Sequence, residues 1–171
     1  MGKKQYIVKF AGLPVGTHEF EFDIKDKFFE QFEDSEIQKA DLKAKVLLLK
    51  QNNLMQMQFN IKGTVELPCD RCLKNYDFPI VAGDNLVVKG GDPEDSSDEI
   101  LVINEGEGQA DVSHYLYEYI VLALPFRRVP CEIEKNFKCD EETLSKLNEN
   151  LAEEEPNPIW EKLNKLKYNK N

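Results

Sequence analysis

The residues best suited to chemistry in this chain are its four cysteines, which fall into two pairs. Cys69 and Cys72 form a C-x-x-C motif, and Cys131 and Cys139 follow much later, with seven residues between them. A C-x-x-C motif in a turn between two strands directs two thiols inward, which is half of a tetrahedral metal site. The fold decides whether the second pair returns to complete that site.

Three interpretations of the cysteines are open. As zinc ligands, all four would form a closed tetrathiolate site, although the C-x7-C spacing is looser than that of a standard zinc knuckle. As a redox pair, Cys69 and Cys72 should open a helix whose dipole lowers a thiol pKa, but this motif joins two strands. As structural residues, they would fill a turn and the core without a metal. The strand context and the expected reducing compartment favour zinc.

A long β-hairpin is predicted to carry the C-x-x-C motif at its tip. Apolar side chains recur at every second position from Met55 to Leu67, with Gly63 as the only gap, and polar side chains fill the other face. After the motif, a second alternating pattern runs from Asn75 to Ile80. The thiols are therefore expected where one strand turns back into the next.

The fold class predicted from these patterns is α+β: a mostly antiparallel β-sheet or partly open barrel with the long hairpin, one central apolar helix and short C-terminal helices. Residues 1–152 are predicted to form a single domain with a mobile acidic loop at 90–99, and residues 153–171 a linker and a short amphipathic tail helix. The other predicted elements are strands at 5–10, 17–24 and 38–50, a short helix at 25–34, a continuation of the second hairpin strand past Gly83 to Val88, an apolar run at 100–103, a helix that starts at Asp111 as N-cap and ends before Pro125, and one or two helical turns at 143–150.

The net charge of −10 comes from two acidic stretches. Residues 92–99 hold five acids and no base, and residues 140–155 hold seven acids and one base. Outside these stretches 20 acids are matched by 21 bases. The global charge therefore does not exclude contact with nucleic acid.

Basic residues lie close to both cysteine pairs. Arg71 and Lys74 accompany the first pair, and Arg127 and Arg128 come just before the second. These four are the predicted contacts to nucleic acid or to another partner.

No recognised catalytic motif occurs in the chain, so it is predicted not to be an enzyme. There is no phosphate-binding glycine loop, dinucleotide fingerprint or HExxH motif, and His18 and His114 are best explained as structural.

No signal peptide and no run long enough for a membrane span are found, so the predicted location is the cytoplasm. Neither a membrane nor a small-molecule substrate is expected as a partner.

One stretch of the chain resembles the signature of a known protein family. It surrounds the first cysteine pair and reads Gly63-x-Val65-x-Leu67-x-Cys69-Asp70-Arg71-Cys72-Leu73. It is similar to the C-x-R-C-L signature of the bacterial and plastid YceD-like proteins, the large-ribosomal-RNA-subunit accumulation family. An acidic loop, a helix ending at Pro125, a second cysteine segment and a tail at Asn157-Pro158 follow in the same order. The resemblance extends from about Leu42 onward.

The resemblance implies a non-enzymatic factor that supports accumulation, processing or assembly of large-subunit ribosomal RNA by binding. It carries Cys69, Arg71, Cys72 and Leu73 over as signature residues. The expected partners are precursor large-subunit ribosomal RNA, a ribosomal protein, or both, and structural zinc is the expected cofactor. A zinc-stapled protein-interaction module without an RNA role is the first alternative, and a dithiol oxidoreductase is the less favoured one.

Overall fold

The computed structural model of the protein describes residues 6–33, 35–52, 54–134 and 137–151. These residues form two compact units. The sheet unit takes in the described residues up to Leu67 together with Asn75–Arg128, and the cysteine unit takes in Pro68–Lys74 and the described residues from Val129 onward. The strands are β1 (Ile7–Lys9), β2 (Gly16–Lys25), β3 (Lys39–Lys50), β4 (Met55–Pro68), β5 (Asn75–Ala82), β6 (Asn85–Gly90), β7 (Ile100–Ile103) and β8 (Gln109–Asp111). The helices are α1 (Asp26–Phe29), α2 (Ser113–Leu122), α3 (Pro130–Ile133) and α4 (Glu141–Leu151), with a 3₁₀ turn at Pro93–Asp95.

The predicted α+β class is confirmed in the described part of the chain, where mostly antiparallel strands form sheets that are not closed. In the sheet unit the strand order is β2-β3-β4-β6-β7, and β5 also pairs with β4. The pairs from β2 to β6 along this order are antiparallel, while β6 and β7 run parallel. A separate two-stranded antiparallel sheet joins β1 to β8. The predicted hairpin is β4 and β5, with Cys69 and Cys72 in the turn between them.

The core of the sheet unit forms because β3 and β4 alternate between apolar and polar side chains. Successive residues of a strand point to opposite faces, so a period of two collects the apolar side chains on one face. In the β3–β4 register, Val46 lies opposite Phe59 and Leu48 lies opposite Met57, and all four side chains are buried. Mostly charged and amide side chains occupy the exposed face of the same strands, with Leu47 and Leu49 as the apolar exceptions in β3.

Helix α2 is the predicted central apolar helix. Its buried side chains Tyr115, Leu116, Tyr119 and Ile120 recur at helical spacing and belong to the same hydrophobic core as β3 and β4. The helix ends before Pro125, as expected. Among the described residues, no helix is both long and apolar enough to cross a membrane.

The start of α2 differs from the prediction by one residue. Asp111 is not the N-cap, since the helix begins at Ser113 and Val112 is the capping position. The Asp111 carboxylate still accepts the backbone N–H of Ser113 at 3.0 Å. The acid therefore satisfies a free N–H group of the first turn from one position further out.

The strand that leaves the cysteine turn breaks at Gly83 instead of running on to Val88. At this point Phe59 of β4 donates its backbone N–H to the Asp84 carbonyl at 2.8 Å. Gly83 approaches β4 so closely that a Cβ atom there would lie 2.2 Å from the Phe59 carbonyl oxygen. The alternating pattern does not reveal the break, because its phase is the same on both sides.

The acidic stretch at 90–99 contains local hydrogen bonds. The Asp92 side chain accepts the Glu94 N–H at 3.1 Å, and the Ser96 hydroxyl oxygen accepts the Val102 N–H at 3.0 Å. The mobility of this loop stays a prediction, as does the extent of a domain over residues 1–152. The predicted tail helix within 153–171 lies outside the described residues.

Candidate metal centre

The turn from Cys69 to Lys74 places the first two thiols. Cys69 donates its backbone N–H to the Lys74 carbonyl at 3.0 Å, and Leu73 donates its own to the Cys69 carbonyl at 2.9 Å. These two bonds close the turn. Both thiol side chains lie in the interior, since Cys69 and Cys72 are 0% and 4% exposed.

The second pair comes from short elements that the sequence leaves largely unspecified. Cys131 lies in the single turn of α3, which starts at Pro130, and Cys139 lies two residues before α4. The Asp140 carboxylate accepts the backbone N–H and the hydroxyl of Thr143 at 2.9 and 2.6 Å. These hydrogen bonds lower the pKa of the Asp140 carboxyl. The start of α4, and with it the position of Cys139, is therefore held by a capping interaction.

The cysteine unit brings the four predicted ligands together. The sulfur atoms of Cys69, Cys131 and Cys139 all lie within 4.8 Å of one another. The Cys139 thiol is 2.6 Å from the Cys131 sulfur, and Cys72 lies near enough to Cys139 and Cys69 for both thiols to lower its pKa. All four are free cysteines. Three of them are thus close enough to hold a metal ion, and the fourth is in contact with this group.

The thiols of the cluster differ in acidity. Burial raises the pKa of Cys72, but the backbone N–H groups of Asp140 and Lys74 and the two neighbouring thiols outweigh burial, so the pKa lies below its ordinary value. The pKa of Cys139 is raised, first by its hydrogen bond with Cys131 and then by burial. The Cys72 thiol is therefore more acidic than the Cys139 thiol.

A zinc ion held by all four cysteines would require rearrangement at both pairs, because Cys72 lies outside the group of three sulfur atoms within 4.8 Å of one another. A zinc–sulfur bond of about 2.3 Å in a tetrahedral site implies sulfur atoms roughly 3.8 Å apart. Cys131 and Cys139, at 2.6 Å, are closer than that and would have to separate. The other features fit a closed thiolate site, because backbone N–H donors already point at the Cys72 sulfur.

The basic residues of the cysteine unit have local partners. The Arg71 guanidinium lies 3.6 Å from the Glu132 carboxylate, and the two side chains are 48% and 42% exposed. The Lys74 ammonium lies 5.3 Å from the centre of the Phe137 ring. Both cations remain accessible at the surface while these contacts connect the first cysteine turn to the second cysteine segment.

The two other predicted contacts belong to the sheet unit. Arg128 forms a two-point hydrogen bond with Glu36, at 2.8 and 2.6 Å, and its side chain is 19% exposed. Arg127 is exposed. A role of either residue in binding stays a prediction.

A comparison with protein-family models matches the segment of the chain that contains all four cysteines. The model of the family described as "Large ribosomal RNA subunit accumulation protein YceD" matches residues 57–167, which is more than half of the chain. The chain belongs to the YceD family. The YceD match starts later than the resemblance seen from Leu42 and contains all four cysteines. No curated protein and no solved structure matches the chain.

Sequence reasoning missed several residues of this part of the YceD match. Glu132 and Phe137 were not linked to Arg71 and Lys74, because nothing local indicates such pairs. The start of α4 had a usable signal, since Asp140 is a favoured N-cap residue and is followed directly by the acids Glu141 and Glu142. That pattern would have placed the helix directly after Cys139.

Proposed function

We propose that this protein is a non-enzymatic, cytoplasmic factor that acts by binding. It supports the accumulation, processing or assembly of large-subunit ribosomal RNA, and structural zinc is bound in its cysteine unit. The observation that carries the proposal is the YceD match over residues 57–167, which includes the clustered cysteines. The proposed partners are precursor large-subunit ribosomal RNA, a ribosomal protein of that subunit, or both.

The chemistry of the donor set supports a structural role for zinc. Four thiolates complete a tetrahedral shell and leave no open position for a water molecule, as is usual for structural rather than catalytic zinc. Cys69, Cys72, Cys131 and Cys139 would be the ligands. When bound, zinc would supply cross-links between the turn, α3 and the start of α4.

Local cations suit this centre in two ways. Zinc with four thiolates carries a net charge of about −2, so Arg71 and Lys74 would offset charge that the N–H donors only partly compensate. The same exposed cations can contact phosphate groups. We assign the RNA contact first to Arg71 and Lys74, because the Arg128 guanidinium already bonds Glu36 at two points.

The proposal is tested in cells by the ratio of large- to small-subunit ribosomal RNA after depletion of the protein. A selective fall of the large-subunit RNA is the expected result. Re-expression of the wild-type chain should restore the ratio, and re-expression of Cys69→Ser should not. An unchanged ratio after depletion would overturn the proposed function.

Direct RNA contact is tested with the purified, zinc-loaded chain. Arg71→Glu should weaken binding to precursor large-subunit RNA and reduce the salt dependence of the affinity by about one phosphate contact. Arg128→Ala is the matched comparison, since it removes an arginine of the sheet unit. Equal binding by wild type and Arg71→Glu would exclude the assigned contact.

A protein-interaction module is the second candidate, and one observation favours it. Leu122 and Phe126, at and beyond the end of α2, are 83% and 106% exposed. Large apolar side chains that form a contiguous surface patch are typical of sites that bind other proteins. Binding through them would change little with salt, whereas RNA binding should weaken steeply.

The dithiol oxidoreductase is the weakest candidate. A reactive cysteine requires access to its disulfide partner, but Cys69 and Cys72 are both buried. The motif also joins two strands instead of opening a helix.

A further inference from the structure

Leu73 has a backbone conformation that a leucine rarely adopts. Its φ angle is +59°, and it is the only non-glycine residue with positive φ among those the structure describes. The left-handed region brings Cβ too close to the backbone, so glycine is the residue that suits such a position. The hydrogen bonds that close the turn impose this conformation on position 73, and a leucine in place of the glycine that suits it points to a function of the side chain.

The side chain of Leu73 does not offset this strain by packing inside the protein. It is 71% exposed, and it directly follows a cysteine that is 4% exposed. A leucine that stabilised the turn through burial would be largely covered. The combination of strain and exposure therefore argues for contact with a partner.

A surface depression of about 620 Å³ begins beside Leu73. Besides two of the cysteines, its walls include Lys74, Lys138 and the acidic residues Asp140 and Glu141. The Asp140 carboxylate is engaged with Thr143, whereas Glu141 is exposed. The depression thus combines an apolar side chain with two cations and two carboxylates within the cysteine unit, and of the two carboxylates only that of Asp140 is engaged with Thr143.

We propose that Leu73 is the platform for one unstacked nucleobase of single-stranded RNA, with Lys74 and Lys138 on the neighbouring phosphates. This inference rests on the proposed RNA-binding function and names the part of the RNA that the site takes. Single-stranded segments expose base faces that a duplex hides, and proteins bind these faces on aromatic, arginine or apolar side chains beside cations. Glu141 accepts a hydrogen bond from a base N–H group.

The three features together select a nucleotide over a peptide. The two lysines bind an anion and Leu73 binds an apolar surface. Glu141 binds a hydrogen-bond donor that lies close to the anion and to the apolar surface. A nucleotide offers phosphate, base face and base N–H groups within one residue.

The test uses the full chain, zinc-loaded, with Leu73→Gly and Leu73→Met as variants. Leu73→Gly relieves the strain and removes the platform, so it should unfold at the same or a higher temperature and bind single-stranded RNA about tenfold more weakly. Leu73→Met keeps an apolar side chain and should bind within about threefold of wild type. The probes are a single-stranded oligoribonucleotide and a duplex of the same sequence, measured at one salt concentration.

Each outcome has a definite meaning. Loss of the single-strand preference in Leu73→Gly, without loss of thermal stability, supports the platform. Unchanged RNA affinity in Leu73→Gly, or a lower unfolding temperature, overturns it. Loss of binding to a large-subunit ribosomal protein with unchanged RNA affinity also overturns it. If the wild-type chain binds neither probe, direct RNA binding in the proposed function fails, which is distinguishable from failure of the Leu73 contact alone.

Discussion

The backbone N–H of Asp140 donates a hydrogen bond to the sulfur of Cys72. The carboxylate of the same residue accepts two hydrogen bonds from Thr143 at the start of α4. One residue therefore orients a thiol and starts a helix. Replacing a group of this kind, next to a metal ligand, typically lowers metal affinity by about 10- to 100-fold.

Asp140→Ala should weaken zinc binding about tenfold, which is the lower end of the effect of removing a partner that orients a ligand. The variant keeps the N–H but loses the cap that positions it. Asp140→Asn is the control, because asparagine caps helices equally well. Affinities are measured by competition with a chelator, and a loss in Asp140→Asn as large as in Asp140→Ala would contradict the capping argument.

The protein should bind about one equivalent of zinc under reducing conditions, and removal of the metal should lower its unfolding temperature, because binding is linked to folding. Cys69→Ser and Cys131→Ser should both lose the metal, since each takes one sulfur from the cluster. Metal content and thermal unfolding provide the measurement. Val81→Thr, which alters an exposed side chain of β5, should keep the metal. An unfolding temperature that is the same with and without zinc would contradict a structural role for the metal.

Zinc affinity should decrease as the pH falls from about 8 to about 6, since protons compete with the metal for the thiolates. The pKa of Cys139 is raised in the metal-free cluster, so its proton is still bound at neutral pH and must leave when zinc binds. Calorimetry in buffers of different ionisation enthalpy measures this release. An affinity that does not change with pH would exclude thiolate ligands.

Gly63→Ala should strongly destabilise the sheet unit, by more than about 2 kcal/mol. Gly63 has a φ angle of +151°, and a Cβ atom there would lie 2.0 Å from the Asp41 carbonyl oxygen in β3. Gly90→Ala is the matched control, because its nearest neighbour is a side-chain atom at 3.9 Å, and it should change stability by less than about 0.5 kcal/mol. The free energies of unfolding of the two variants are measured with a denaturant. Similar losses in both would contradict the close approach of β3 and β4 at Gly63.

Tyr119→Phe should leave the free energy of unfolding unchanged or raise it by up to about 1 kcal/mol. The Tyr119 hydroxyl is buried and has no hydrogen-bond partner among the described residues, and its burial raises the pKa of the phenol. The ring keeps its contact with Phe59. Tyr115→Phe is the counterpart, since it removes a hydrogen bond to the Ser97 carbonyl and should destabilise by about 1 kcal/mol. The reverse order in denaturant unfolding would contradict this assignment.

Most strands of the sheet unit were predictable because their signal is local. Alternation from Met55 to Leu67 places β4 and its buried face, and the spacing of Tyr115, Leu116 and Tyr119 identifies α2. The break at Gly83 was not predictable. It depends on the approach of β4, whereas the alternating pattern is continuous across it.

The candidate metal centre likewise has a part that was predictable from the sequence and a part that was not. The turn at Cys69 and Cys72 follows from its position between two alternating segments, and the family signature followed from residues adjacent in sequence. The contact between Cys131 and Cys139, and their approach to Cys69, required the tertiary structure. Cys131 lies in a single-turn helix and Cys139 in the segment before α4, and neither place has a periodic signal.

The sequence by itself therefore determined the elements whose side chains repeat with a strand or helix period, and the identity of the residues able to bind a metal. The tertiary structure decided which of them meet. Arg128 bonds Glu36 across 92 residues of chain, and no local pattern records such a contact. The left-handed Leu73 is likewise a product of the closed turn, because the backbone angle of one residue depends on the hydrogen bonds that its neighbours make around it.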